Sequence, residues 1–217
     1  MFAHIGVLFV ALMTAAPACA QTPAAASERP VKMVVLGDSL SAGLGLPATS
    51  AFPVRLQKAL ADKGIKVDMT NAGVSGDTSS GGRDRLDWSV PEGTEAVIVE
   101  LGANDALRGI DPAVTRAALT EILTRLKARK IAVLLSGMLA PPNYGTEYAA
   151  RFNAIYPELS KSFGVPLYPF FLEGVAAEAR LNQADGIHPT ADGVDVIVKN
   201  ILPMVEALVG TVSAQRS

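Results

Sequence analysis

The sequence predicts an α/β fold, a three-layer α/β/α sandwich around a mostly parallel five-stranded sheet. Three observations carry this. Short apolar runs alternate with longer amphipathic stretches from Val31 onward. The runs are continuously apolar rather than alternating, as in strands buried on both faces of a parallel sheet. The polar motifs fall just past the ends of those runs, where open α/β sheets bind ligands.

Lys32–Leu36 (KMVVL) is the first strand, stopped by Gly37. Ala51–Lys63 has helical spacing, with Phe52, Leu56 and Leu60 on one side and Gly64 at its end. Lys66–Thr70 is a weaker second strand that leads into Asn71-Ala72-Gly73, and Ala96–Leu101 (AVIVEL) is a third, followed by Gly102. Asp111 is placed to cap a helix that has Pro112 in its first turn and runs to about Arg129. Ile131–Leu135 (IAVLL) is the fourth strand and Val165–Tyr168 a short fifth. Between them Thr146–Phe163 reads as a helix that Pro157 kinks or breaks. Ala191–Val209 is the last helix, distorted at Pro203.

A chain of 217 residues suits one domain with a substantial core. Residues 1–20 read as a secretory signal. An uncharged apolar run from Ile5 to Met13, too short to span a bilayer, leads into Ala18-Cys19-Ala20, a small-x-small cleavage pattern. The rival is a lipoprotein acylated at Cys19, for which Ala16-Pro17-Ala18 is a poor lead-in. Residues 21–30, rich in Ala, Pro and Ser, form a flexible leader; 31–210 form the domain and 211–217 a tail. Cys19 is the only cysteine and leaves with the signal, so the mature chain has no disulfide and no thiolate nucleophile. The formal net charge of −2 points to neither nucleic acid nor an anionic membrane as partner. Periplasmic or secreted residence follows, without stable membrane insertion, and a monomer is favoured.

Two motifs at opposite ends of the domain carry the chemistry. Gly37-Asp38-Ser39-Leu40 places a serine directly after a strand, in a turn with free backbone N–H groups. Alone it reads better as a helix cap. Asp185-Gly186-Ile187-His188-Pro189 holds one of only two histidines; the other, His4, lies in the signal. At three residues' separation Asp185 can accept from one imidazole nitrogen, leaving the other to take a serine proton. The same pair also fits a surface turn, or half of a metal site. A zinc site needs three or four ligands, and the mature chain has no further His or Cys, so no metal and no cofactor are expected. Gly76, in Gly73-Val74-Ser75-Gly76-Asp77-Thr78, offers an unobstructed N–H, and Asn104, in Gly102-Ala103-Asn104-Asp105, a side-chain amide. With the Ser39 N–H they could hold an oxyanion; as isolated turns both segments suit structural roles.

Together these segments resemble the SGNH/GDSL hydrolases, in order and spacing, from Val31 to Val209. The resemblance is to the bacterial acyl-CoA thioesterase I, lysophospholipase L1 and arylesterase group. It rests on GDSLSAGLG (37–45), GVSGDTSSGG (73–82), VELGANDALRG (99–109), PPNYG (141–145), IYPEL (155–159) and DGIHPT (185–190). It implies a flavodoxin-like fold, Ser39 as nucleophile, His188 as base, Asp185 as its orienter, and Gly76 and Asn104 as oxyanion donors. Ala103 departs from the pattern, since relatives often carry glycine there; its methyl narrows the pocket floor. Leu107, Ile110, Leu139, Asn143, Tyr144 and Tyr148 are candidates for the acyl pocket, with Met138–Arg151 as a wall that is mobile in the resembled group. The implied substrates are small-molecule carboxyl esters and thioesters of short to medium acyl chains. Two alternatives stand beside this reading. A carbohydrate acetylesterase on the same fold would want an aromatic-lined alcohol site, yet the only tryptophan, Trp88, lies in a helical stretch far from any cleft. A non-catalytic binding domain would have no need of all five polar residues.

Overall fold

The structure, a computed structural model, describes residues 1–3 and 29–216. The expected signal at 1–20 and leader at 21–30 fall almost wholly outside that range. Five parallel strands form one sheet: β1 (Val31–Gly37), β2 (Val67–Gly73), β3 (Ala96–Glu100), β4 (Ala132–Ser136) and β5 (Leu167–Tyr168). Their order is β2-β1-β3-β4-β5. The chain therefore leaves β1 toward one side and returns to pair β3 on the other, which creates a switch point at the end of β1. The α/β expectation is met.

The sequence explains the depth of each strand. β3 is buried throughout, as a continuously apolar run between two neighbours should be, while β2 (VDMTNAG) is half exposed because it lies at the edge. The helix α2 (Phe52–Asp62) and the long α9 (Ala191–Gln215) pack together on one face of the sheet. On the other face lie α3 (Ser79–Asp84), α6 (Pro112–Ala128), α7 (Gly145–Asn153) and α8 (Ile155–Phe163). The short helices α1 (Ser39–Ala42), α4 (Leu86–Ser89) and α5 (Ala103–Leu107) complete the set described here. α9 is long and apolar enough to cross a membrane by composition, but it buries Val194, Ile197, Ile201 and Val205 inside the domain.

Three boundaries differ from expectation, each for a local reason. The stretch 146–163 is two helices that meet at Ala154, so Pro157 occupies the first turn of α8, where a missing N–H costs no helical bond. α9 continues through Pro203 and past Val209 to Gln215. The expected tail from 211 is therefore the last turn of a packed helix: Val212 is buried and Arg216 pairs with Glu95. Glu95 also takes Arg29 (2.8 Å), so both ends of the described domain meet on one carboxylate at the amino edge of the sheet. The pairing with Arg216, and then with Arg29, holds that carboxyl low, at about 2.

Candidate active site

Ser39 opens α1 immediately beyond β1. Asp38 caps this helix, its carboxylate accepting from Leu40 N–H at 2.9 Å. Four residues of helix could not hold themselves together in water, so the cap and the packing against β2 define the turn. Its first residue is thereby held at the switch point of the sheet.

His188 approaches from the other end of the chain. Its Nε2 lies 2.9 Å from Ser39 Oγ, and its Nδ1 lies 2.6 Å from Asp185 Oδ2. The other Asp185 oxygen accepts the backbone N–H groups of Ile187 (2.9 Å) and His188 (3.0 Å). These two N–H bonds, with the imidazole contact, keep the Asp185 carboxyl far below the ordinary carboxylate range. The loop is pinned at its base by Gln183, whose side-chain amide donates to Leu44 O (2.8 Å) and Pro189 O (2.9 Å). Serine, imidazole and carboxylate therefore form one hydrogen-bonded line. It can take a proton from the hydroxyl while a fixed carboxylate compensates the imidazolium.

The structure brings Gly76 and Asn104 to the same edge, past β2 and β3. Gly76 has φ +82°, a conformation that favours glycine, and its N–H has no partner among the described residues. Asn104 Nδ2 donates twice, to Asp38 Oδ2 at 3.1 Å and Asp77 O at 2.9 Å. Both of its hydrogens are engaged, so donation to an oxyanion requires one of these bonds to be shared or exchanged. That pre-aligns the amide against the residue next to the nucleophile.

Several residues that sequence reasoning missed hold this arrangement. Arg85 donates to Gly37 O (2.7 Å), Ala72 O (2.8 Å) and the Asp77 carboxylate (2.6 Å), tying the ends of β1 and β2 to the Gly76 loop. Asp105, fully buried, accepts from Ser79 N–H (2.8 Å), Ser79 Oγ (2.5 Å) and Thr115 Oγ1 (2.9 Å), fastening α3 and α6 beside Asn104. Tyr156 donates from beneath to Leu101 O at 2.9 Å. Only Glu100 left a signal, as the one charge in AVIVEL. It lies fully buried under the nucleophile, accepting from Ser41 Oγ (2.5 Å) and Asp38 N–H (3.4 Å), with Oε1 unpartnered among the described residues.

Two buried carboxyls thus face each other beneath Ser39. Burial raises Asp38 to about 6 and pushes Glu100 well above its usual 4.5, with Asp38 repelling it further. Each Asp38 oxygen accepts a donor, from Leu40 N–H and Asn104 Nδ2, whereas Glu100 Oε1 has none among the described residues, so Glu100 is the carboxyl of the pair that keeps its proton. A group raised on folding lends stability that is complete below its unfolded value and is lost as pH rises through the folded one. Glu100→Gln never ionises. Its stability relative to wild type should therefore rise between about pH 4 and pH 8, read by urea unfolding at both. A pH-independent difference would place the charge on Glu100 instead.

The expected acyl-pocket residues also reach this edge. Leu107, Leu139, Asn143 and Tyr144 are all exposed there, and Tyr144 OH donates to Leu107 O at 2.9 Å. Tyr148 OH donates to Ile110 O at 2.9 Å. Ala103 begins α5 beside Asn104. Trp88 sits on α4, 81% exposed.

The chain is similar to known esterases in sequence and in structure. The chain is 41% identical over 177 residues to esterase TesA of Pseudomonas aeruginosa, covering 81% of this chain and 88% of that protein. It is 40% identical over 208 residues to thioesterase 1/protease 1/lysophospholipase L1 of Escherichia coli K12, covering 93% of each. The crystal structure of TesA aligns with a TM-score of 0.78 at 40% identity, over 82% of this chain and 99% of that one. Residues 35–196 match the GDSL-like Lipase/Acylhydrolase family. The chain belongs to the GDSL-like lipase/acylhydrolase family of ester hydrolases.

Proposed function

We propose that this serine esterase works through Ser39, His188 and Asp185 on carboxyl esters, and on thioesters, of short to medium acyl chains. The hydrogen-bonded line from Ser39 Oγ through the imidazole to Asp185 carries the reading. Ser39 Oγ attacks the acyl carbon as its proton passes to His188 Nε2. The carbonyl oxygen becomes an oxyanion, taken up by the N–H groups of Ser39 and Gly76 and by the Asn104 amide. As the carbon–oxygen or carbon–sulfur bond breaks, the imidazolium returns its proton to the leaving group, and the acyl group stays on Ser39. Water then repeats the sequence and frees the acid. Asp185, held far below the ordinary carboxylate range by the Ile187 and His188 N–H groups and by the imidazole, stays ionised as the partner of the imidazolium.

Leu107, Leu139, Asn143 and Tyr144 line the acyl side in this reading, with the 138–151 segment as its wall. Residues 1–20 direct export, and the enzyme released to the periplasm or medium is the domain from β1 through the end of α9. The testing experiment is hydrolysis of p-nitrophenyl esters from acetate to palmitate by wild type and His188→Ala. Wild-type turnover with a chain-length optimum, and none in the variant, is expected. Equal activity in both would remove His188 from the mechanism, and turnover confined to acetate would favour the carbohydrate acetylesterase.

A further inference from the structure

The nucleophile and the oxyanion donors come from three separate segments: Ser39 follows β1, Gly76 follows β2 and Asn104 follows β3. A backbone N–H has no rotamers with which to correct its aim, so the spacing of these segments fixes the shape of the hole. Arg85 meets the first two directly and the third through a single peptide. Its Nη2 donates to Gly37 O, two residues before Ser39, at 2.7 Å. Its Nη1 donates to Ala72 O near the end of β2, at 2.8 Å. Its Nε donates to Asp77 Oδ2 at 2.6 Å. Asp77 directly follows Gly76, and the Asp77 carbonyl accepts the Asn104 amide at 2.9 Å.

The pair is enclosed, with the Arg85 and Asp77 side chains 14% and 16% exposed. Gly81 leaves room for the Asp77 carboxylate, which a Cβ at that position would strike. An ion pair taken out of water adds little net stability once its desolvation is counted, so stability alone is a weak reason for one at this place. A planar guanidinium can meet acceptors on several segments at once in a fixed geometry, which a lysine ammonium on its flexible stem cannot. The remaining Arg85 bond, from Nη1 to Ser89 Oγ at 2.8 Å, goes to α4 and not to the site. The same side chain therefore carries its own internal control.

We propose that Arg85 is a positioning residue of the esterase, which through Gly37, Ala72 and Asp77 aligns the Gly76 and Asn104 donors with Ser39. Its effect is felt when the oxyanion forms, because donors that are displaced still admit the ester but no longer meet the charge that develops. This rests on the mechanism proposed above and deepens it.

The test compares wild type with Arg85→Lys, Asp77→Asn and Ser89→Ala on p-nitrophenyl butyrate. Titration of Ser39 to completion with a fluorophosphonate counts the competent sites, so kcat refers to folded enzyme even where a variant is partly unfolded. Arg85→Lys and Asp77→Asn should each lower kcat per site about 10-fold or more and leave KM nearly unchanged, the pattern of an interaction made only in the transition state. Inhibition by butylboronic acid, which forms a tetrahedral adduct on Ser39, should weaken by a similar factor. Ser89→Ala takes a bond from the same guanidinium without touching the oxyanion loop, so it should lower the melting temperature and keep kcat. Wild-type kcat per site in Arg85→Lys and Asp77→Asn overturns the assignment. So does an equal loss of kcat in Ser89→Ala, or a fall in kcat with undiminished boronate affinity, either of which would mark a merely structural role. Absence of turnover by wild type on every ester would instead overturn the mechanism on which the assignment rests.

Discussion

Ser39→Ala should lower kcat on any ester by about 10⁴-fold or more, while leaving the melting temperature close to wild type. The side-chain bond recorded for Ser39 Oγ is the one to His188, and the helix it begins is capped by Asp38 rather than by itself. Alanine therefore removes the nucleophile without removing a support. No neighbour can stand in. Ser41, one position beyond Leu40, is fully buried and its hydroxyl is committed to Glu100. Rates with p-nitrophenyl butyrate, measured beside thermal unfolding, decide the matter. A folded variant with more than about a hundredth of wild-type kcat would point to a different nucleophile.

The second large effect is expected at a residue that carries no side chain at all. Gly73 ends β2 where α1 crosses it, and a methyl there would lie 2.8 Å from Ala42 Cα and Asp38 O, with Ala42 N nearer still. All three are backbone atoms, so no rotamer change relieves the clash. α1, with Ser39 at its head, must shift away from the sheet. Gly73→Ala should cost about 1–3 kcal/mol of stability through overpacking. It should also lower kcat by about 10²-fold, because displacements near 1 Å in a catalytic group have that consequence. Gly64→Ala is the control. It has φ +76° and open space around it, so it should lose stability through backbone strain alone and keep its rate. A Gly73→Ala protein with wild-type kcat would mean that α1 is not rigidly seated.

The parts of this molecule that were legible beforehand share a property: each is written in residues close together in sequence. β3 and β4 announce themselves as unbroken apolar runs, and α6 by its Asp111-Pro112 start. His188 stood out because the domain has no other histidine, which left little choice of base once Ser39 was suspected. The helices α1, α3 and α5 were not legible as helices, since four to six residues are too few to display a period. Their caps and packing define them instead. Arg85 was invisible for another reason. Nothing near it in the chain predicts that its guanidinium would reach Gly37, Ala72 and Asp77 at once. The extension of α9 beyond Val209 was hidden by the small and polar residues of its last turns, which are held by Val212 and by the pairing of Arg216 with Glu95.

That pairing has a practical consequence. Arg29 and Arg216 converge on Glu95, at the edge of the sheet opposite to the one that carries Ser39 and His188. Anything attached to either end of the domain, whether an affinity tag, a solid support or a membrane-held precursor segment, is thereby directed away from the catalytic mouth. Because the two ends are neighbours, a short linker could join them and new ends could be opened elsewhere. Such a rewired chain would keep its substrate entrance unobstructed.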